Sequence, residues 1–204
     1  MSKATLQRRP LVKQLLDGAD DNLLVIAGLG SSNWDITAAG DRPLNMPLWG
    51  SMGAPVGMGL GLALAQPTKR VLVITGDGDM LMSLGSLATV ATQMPENLAI
   101  VVLDNEKFGE TGNQATHTSP RNNGPTDSGA GTDLAMIARG CGIADATTVC
   151  ESSEVAELVK DVRTRKGPVF RLVKVMVEKL EFVMPPQDGA HLKDRFRQAL
   201  LGHP

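Results

Sequence analysis

Short apolar runs recur along this 204-residue chain, and stretches with helical periodicity separate them. A strand that is buried on both faces reads as a continuous apolar run, because helices cover both sides of its sheet. The pattern therefore predicts one α/β domain over residues 1–204, with a parallel sheet and helices on both faces. The predicted strands are "NLLVIAG", "LNMPLWG", "RVLVIT", "LAIVVLD", "ATTVC" and "PVFRLVKVMV".

Three of the predicted helices carry expectations about local structure. The stretch "SSNWDITAAG" predicts a helix that a serine side chain caps. The apolar helix after residue 50 places Gly53, Gly57 and Gly61 on one face, which indicates close packing against a neighbour. The stretch "DMLMSLGSLATVATQ" predicts one continuous helix. The other predicted helices are "PLVKQLLDGA", "DLAMIARGCG", "SSEVAELVKDVRTR" and "DGAHLKDRFRQALL".

The charge balance and the cysteine usage argue against several classes of protein. The 20 basic and 22 acidic residues nearly cancel without forming a basic stripe, which argues against a nucleic-acid partner. Cys141 and Cys150 lack CxxC spacing, which favours free thiols in a reducing compartment. No signal-peptide core and no membrane-spanning apolar stretch is visible, so we expect a cytoplasmic protein without a membrane partner.

The end of the third predicted strand carries residues that point to function. Ligands of parallel α/β sheets bind outside the carboxyl ends of the strands, and this strand runs directly into "GDGDMLMSLG", residues 76–85. The glycines beside Asp77 allow the main chain to approach a ligand closely. The main-chain amides of Gly78, Asp79 and Met80 open the next predicted helix, and helix N-termini bind phosphate groups well.

A carboxylate beside a phosphate requires a cation between the two. Mg²⁺ binds few protein carboxylates and takes its other oxygen ligands from phosphates and water. Asn105, after the next predicted strand, offers a neutral amide oxygen. The sequence therefore predicts a Mg²⁺–diphosphate site with Asp77 as a ligand, while we interpret Asp79 as a helix cap whose carboxylate turns away. The alternative is a tight turn with an aspartate cap and no ligand.

These motifs resemble the thiamine-diphosphate signature of decarboxylases and related enzymes. The resemblance rests on the "GDG" of residues 76–78, on the asparagine after the next strand, and on the strand-helix-strand pattern between them. It implies that the Asp77 carboxylate, the Asn105 side chain and the Lys107 main-chain carbonyl bind Mg²⁺. Asp104 is the alternative candidate for the side-chain ligand at this strand end. We prefer Asn105 because the family usually carries an amide there.

A second stretch, "LWGSMGAPVGMGLGLAL", resembles the segment that holds the thiamine in these enzymes. The resemblance implies that the Gly50 carbonyl accepts a hydrogen bond from the 4′-amino group and that Met52 supports the bent cofactor. Ordinary core packing is the alternative for Met52. The cofactor-binding residues expected on these grounds are Gly50, Ser51, Met52, Gly76, Asp77, Gly78, Asp79, Met80, Asn105, Lys107, Phe108 and Gly109.

A third stretch, "GETGNQATHT", is similar to the loop after the metal ligands in sulfopyruvate decarboxylase β chains and in the C-terminal half of phosphonopyruvate decarboxylases. The likeness weakens after residue 150. It implies a diphosphate-binding (PP-type) domain that decarboxylates a small anionic 2-oxo acid with thiamine diphosphate and Mg²⁺. The activating glutamate of such enzymes lies in a pyrimidine-binding domain, so we expect a partner α subunit that carries it, in a heterotetramer or a larger assembly.

The sequence also suggests residues for proton transfer and for substrate binding. Glu110 and His117 lie in the Gly/Pro/Thr/Asn-rich stretch 105–131, which we expect to be a long active-site loop. A solvated loop residue is the alternative for His117. Arg42 and Arg121 are candidates for binding an anionic substrate tail. Residues 177–204 are expected to form a C-terminal extension.

Three other functions remain open at this point. The β chain of a 2-oxoacid:ferredoxin oxidoreductase shares a "GDGD" and a similar loop, but two cysteines cannot supply the four ligands of an iron–sulfur cluster. Carboligation of the acetolactate-synthase type is a second enzymatic alternative. A degenerate cofactor-binding structural subunit is the non-enzymatic alternative.

Overall fold

The fold is built on a parallel sheet, as the apolar runs predict. The computed structural model describes residues 4–120 and 131–203. Its strands are β1 (Leu23–Ala27), β2 (Asn45–Pro47), β3 (Arg70–Gly76), β4 (Leu98–Asp104), β5 (Lys107–Phe108), β6 (Gln114–Ala115), β7 (Ala146–Val149) and β8 (Val169–Lys174). Six of them pair in parallel in the order β2-β1-β3-β4-β8-β7, whereas β5 and β6 form a short antiparallel ribbon.

Helices cover both faces of the sheet. They are α1 (Arg8–Leu16), α2 (Ser31–Ala38), α3 (Ala54–Ala65), α4 (Asp77–Leu81), α5 (Gly85–Gln93), α6 (Leu134–Gly140), α7 (Val155–Thr164) and α8 (Gly189–Leu201). Alternate residues of each strand enter opposite cores: Leu24 and Ile26 of β1 belong to the core under α3, α5 and α6, whereas Leu23 and Val25 belong to the core under α1 and α7. The predicted α/β class is therefore confirmed.

The order of the strands opens a crevice at one edge of the sheet. The chain passes from β1 outward to β2 and then returns to β3 on the other side of β1. The segments that follow β1 and β3 therefore leave the carboxyl edge in different directions. Ligands of open α/β sheets bind at such a reversal point, which here lies between residues 28–32 and residues 76–79.

Two expectations about helix ends are wrong. Ser31 is the first residue of α2 and caps nothing; the N-cap position belongs to Gly30, whose φ of 78° favours glycine. The helix expected to run from Asp79 to Gln93 is broken into α4 and α5. The amides of Met82 and Ser83 donate to carbonyls only three residues back, and such tightened bonds end the first helix.

The glycines of α3 do not pack as their spacing predicts. Gly57 and Gly61 face open space, and Gly53 precedes the helix in a left-handed conformation with φ 84°. Gly59 makes the close contact instead: a Cβ atom there would lie 2.3 Å from the Cγ2 atom of Val73 on β3. Val73 is β-branched and lies in a central strand, so it has little freedom to move away.

The segment after β8 returns along the sheet to β2. The Trp49 indole donates to the Pro186 carbonyl (3.0 Å), and Arg195 of α8 forms an ion pair with Asp41. Helix α8 packs on β2 through Phe196, which is buried in the core on that face. Across residues 4–120 and 131–203, no helix is both long enough and apolar enough to cross a membrane.

Replacing Gly59 by alanine should lower the free energy of unfolding by about 1–2 kcal/mol, because overpacking against Val73 outweighs the gain in helix propensity. The same change at Gly57 or Gly61 should raise it by roughly 0.5–1 kcal/mol, because those positions gain propensity without a clash. Urea denaturation of the three variants measures both effects. Equal shifts at all three positions would contradict this packing of α3.

Candidate functional site

A small cavity lies at the carboxyl edge of the sheet, at the reversal point between β1 and β3. Its volume is about 110 Å³. The predicted residues that line it are Met52, Gly76, Asp77, Gly78, Asp79, Asn105, Lys107, Phe108, Gly109 and Glu110. The structure thus brings together residues that three separate stretches of sequence supply. Of the other predicted residues, Gly50, Ser51 and His117 are exposed outside the lining, and the Met80 side chain is buried in the core.

Asp77 is a buried carboxylate held by two hydroxyl groups. Its exposed fraction is 2%. The hydroxyls of Thr116 and Thr118 donate to the same oxygen, Oδ2, at 2.5 and 2.9 Å. Burial, together with the neighbouring Asp104 carboxylate, raises the pKa of Asp77 to about 6, although the two threonines act in the opposite direction. A cation beside Asp77 would offset both causes of this shift.

Asp104 is already paired within the protein. The Lys174 ammonium lies 2.7 Å from its Oδ2 atom and 2.9 Å from the Glu106 carboxylate. Burial acts to lower the pKa of Lys174, but these two carboxylates outweigh it and raise that pKa. The Thr118 hydroxyl also lies 2.8 Å from the other oxygen of Asp104, so Asp77 and Asp104 share its single proton as acceptors. Asp104 is absent from the cavity lining, which favours Asn105 as the residue that faces a ligand.

A turn after β4 orients Asn105 and Lys107. The Asn105 Oδ1 atom accepts a hydrogen bond from the Lys107 amide at 2.9 Å, and Glu106 between them has a φ of 61°. Asp77, Asn105 and Lys107 therefore line a single cavity, to which they could offer a carboxylate, an amide oxygen and a main-chain carbonyl. This donor set suits Mg²⁺, which prefers oxygen and completes its shell with phosphate and water. In the described ranges, no group of three or more His, Cys, Asp or Glu side chains is placed to hold a metal.

Asp79 does not cap a helix, so that interpretation is wrong. Its carboxylate is buried, and it accepts hydrogen bonds from the Gly53 amide and the Thr75 hydroxyl. Burial raises the pKa of Asp79, and the bond from Gly53 opposes this shift most strongly. The side chain thus fastens the segment that carries Met52 to the end of β3.

Sequence reasoning missed the segment after β1. Leu29, Gly30, Ser31 and Ser32 line the cavity at the N-terminus of α2, where main-chain amides favour an anion. Gly30 has a φ of 78°, which favours glycine, and a Cβ atom there would lie 2.8 Å from the Glu110 carboxylate. The signal was present as a glycine- and serine-rich turn after an apolar run. Arg8 also lines the cavity, and no local pattern marked it.

Three residues suggested for catalysis or substrate binding have different outcomes. His117 is exposed, while Thr116 and Thr118 on either side of it face Asp77; its catalytic role stays a prediction. The suggestion for Arg42 is wrong, because its guanidinium binds the carbonyls of Asp20 and Leu23, at the amino edge of the sheet. Arg121 lies outside the described residues.

Comparison with known proteins identifies the class that this fold and site define. Residues 30–173 match the family model "Thiamine pyrophosphate enzyme, C-terminal TPP binding domain". The chain belongs to this family, as its "GDG" and asparagine motifs predict. The match includes every residue that lines the cavity except Arg8 and Leu29.

Curated proteins that resemble this chain include decarboxylases and decarboxylase subunits. The chain is 37% identical over 142 residues to sulfopyruvate decarboxylase subunit beta of Methanocaldococcus jannaschii, covering 70% of each chain. It is 32% identical over 197 residues to the protein of that name in Methanothermobacter thermautotrophicus, covering 97% of each chain. Phosphonopyruvate decarboxylase of Streptomyces viridochromogenes is 29% identical over 197 residues, and the matched part is 96% of this chain but 47% of that protein.

A solved structure shows the same fold. It is the 2-oxoglutarate:ferredoxin oxidoreductase of Magnetococcus marinus, which aligns with a TM-score of 0.67 and 18% identity over 96% of this chain and 78% of that one. At this identity the likeness extends to the fold alone.

Replacing Asp77 by asparagine should make the metal-free chain more stable at neutral pH. The pKa of Asp77 rises from 3.8 to about 6 on folding, so the folded state binds this proton more tightly. The free energy of unfolding of the wild type should therefore fall as the pH rises from about 4 to about 6, by up to roughly 3 kcal/mol. Asp77→Asn should lack this fall, which urea denaturation in a chelator at several pH values would measure. The same pH dependence in both proteins would contradict the burial of this charge.

Replacing Asp79 by alanine should cost about 2–4 kcal/mol of stability, because the Gly53 amide and the Thr75 hydroxyl would both lose their acceptor. Asp79→Asn keeps an acceptor for Gly53 and should lose less than half as much. Asp133→Ala is the matched control: it removes an exposed helix cap on the Met136 amide and should cost about 1 kcal/mol. Denaturation midpoints give the three values. Equal losses for the alanine and asparagine variants would show that Asp79 does not act through these bonds.

Proposed function

We propose that this chain is the diphosphate-binding β subunit of a cytoplasmic 2-oxo acid decarboxylase that uses thiamine diphosphate and Mg²⁺. The proposed substrate is sulfopyruvate, phosphonopyruvate or a similar 2-oxo acid. One observation carries the proposal: Asp77, Asn105 and Lys107 converge on one cavity in a chain that aligns end to end with a sulfopyruvate decarboxylase β subunit. Two free cysteines are compatible with a reducing compartment.

Each part of the site has a task in this proposal. The Asp77 carboxylate, the Asn105 amide oxygen and the Lys107 carbonyl would hold Mg²⁺, and the amides at the start of α2 would face the diphosphate. Met52, half-exposed on the cavity wall, would support the thiazolium ring, and the Gly50 carbonyl would accept from the aminopyrimidine.

Thiamine diphosphate, when bound, supplies an electron sink that makes the loss of CO₂ from a 2-oxo acid feasible. The side chains of this chain would then bind the acid, exclude water and move protons. Glu110 lies on the cavity wall and would exchange protons with the reacting group, and His117 would do so from the same loop.

Two observations support a partner subunit. The cavity that Asp77 lines is about 110 Å³, below the roughly 300–1,000 Å³ of typical ligand pockets, which is compatible with a cofactor site that a second chain completes. The outer face of α3 carries Gly57, Met58, Gly61 and Leu64, all exposed. An apolar helix face of this kind is typical of an interface. A pyrimidine-binding α subunit with its activating glutamate would cover it, in a heterotetramer or a larger assembly.

The alternative enzymatic functions have weaker support. The likeness to the ferredoxin oxidoreductase is one of fold, and this chain has two cysteines where a cluster needs four ligands. Carboligation is supported by similarity to an acetolactate synthase large subunit of Escherichia coli, to which this chain is 26% identical over 189 residues. The products formed from pyruvate distinguish ligation from decarboxylation.

The purified chain alone should release negligible CO₂ from sulfopyruvate, phosphonopyruvate or pyruvate, because the activating glutamate is supplied by another polypeptide. Co-purification with a pyrimidine-binding chain, in the presence of Mg²⁺ and thiamine diphosphate, should restore turnover. Coupled assays of CO₂ and aldehyde measure it. Full activity of the chain alone would refute the subunit proposal.

A matched pair of variants tests the metal site in that complex. Asp77→Ala should abolish Mg²⁺-dependent binding of thiamine diphosphate, whereas Glu96→Gln, an exposed carboxylate paired with Lys166, should leave it unchanged. Isothermal titration calorimetry measures both. Unchanged cofactor binding by Asp77→Ala would instead favour the degenerate structural subunit.

A further inference from the structure

Arg8 is a buried cation whose hydrogen bonds are only partly used. Its exposed fraction is 4%, and its Nε atom donates to the buried Asp35 carboxylate. Among the described residues, neither Nη1 nor Nη2 of Arg8 has a hydrogen-bond acceptor. Arg9 binds the same carboxylate at 3.0 Å, so the cluster of two arginines and one aspartate keeps a net positive charge. A buried guanidinium with two free N–H₂ groups is suited to binding an anion.

Arg8 lies where two cavities meet. Besides the small cavity at the reversal point, Arg8 lines a second one of about 820 Å³, which we call the outer cavity. Residues 177–182, Trp34 and Asn113 form its walls. Ser31, Asn105, Gly109 and Glu110 line both cavities as well. The outer cavity is large enough for a small substrate.

Among the described cations, Arg8 lines both cavities, whereas Lys107 lines the small cavity alone. Lys179 is on the wall of the outer cavity alone. Glu178 accepts from the Arg8 main-chain amide at 2.8 Å, and the Glu181 carbonyl accepts from Arg9 at 2.8 Å. Glu110 stands opposite, against Gly30. Among the described arginines, Arg8 alone lines both cavities, so it brings paired N–H donors to an anion at the junction.

We propose that Arg8 binds the second acidic group of the substrate, a sulfonate or phosphonate, and that the outer cavity admits the substrate to the site. This inference rests on the proposed function. Paired N–H groups of arginine fit two oxygens of a tetrahedral anion, which a carboxylate-only substrate such as pyruvate lacks at that position. The diphosphate of the cofactor is the other anion within reach, and it has the start of α2 and Mg²⁺ as its own partners.

Calorimetric titration of the reconstituted holoenzyme with 3-sulfopropanoate tests the proposal, because this probe keeps both acidic groups but lacks the reactive carbonyl. Arg8→Met should weaken its binding about 10- to 100-fold, the effect of losing a charge-assisted pair of hydrogen bonds. Thiamine diphosphate affinity should change less than about threefold. Arg8→Lys keeps the positive charge but loses the paired N–H donors of the guanidinium, and it should weaken binding of the probe about 10-fold. The Arg8→Lys variant also keeps the proposal testable if Arg8→Met does not fold.

Arg9→Met is the matched control, since Arg9 shares Asp35 but lines neither cavity; it should alter probe binding less than about threefold. Loss of thiamine diphosphate affinity in both Arg8 variants, with probe binding intact, would assign Arg8 to the cofactor and overturn the proposal. Equal probe binding by wild type and both variants, or none by wild type, would also overturn it. Failure of the wild-type complex to decarboxylate sulfopyruvate would count against the proposed function instead.

Discussion

Two carboxylates meet at the carboxyl ends of neighbouring strands, and the structure around them is arranged to hold that negative charge. Gly76 of β3 is in register with Leu103 of β4, so the next residues, Asp77 and Asp104, are neighbours. Compensation comes from a third strand, where Lys174 pairs with Asp104, and from the threonine hydroxyls of the loop after β6. The hydrogen bonds from these threonines to Asp77 therefore both stabilise the buried carboxylate and hold the loop against the sheet.

The parts of the fold and site that depend on local sequence were predictable. Continuous apolar runs give β1, β3 and β4, because a strand between two helical layers needs apolar residues on both faces. Asp77 and Asn105 were predictable because parallel strands share one edge, so residues that directly follow two strands must lie close together. The lining of one cavity by both residues agrees with that reasoning.

The parts that depend on distant contacts were not predictable. The partners of Asp79 come from β3 and from the segment before α3, and its own neighbours in sequence resemble an ordinary helix start. The spacing of the glycines identified one face of α3, but it did not show which face of the helix packs against the sheet. Gly59, on another face, makes that contact. The arginine at the site is Arg8, far from the motifs in sequence, whereas Arg42 supports the opposite edge.

Helix α8 has a consequence for the solubility of the chain. It packs on β2, a strand of three residues at the open end of the sheet, and Arg195 links it to the Asn45 carbonyl and Asp41. Unpaired strand edges are templates for pairing between chains. A protein cut before Asp188 would keep all six strands and both cavities, yet β2 would lose Phe196 from its core face and the Arg195 bond to its Asn45 carbonyl. Loss of this helix, remote from the chemistry, would thus expose apolar core surface, and such surface favours association between chains.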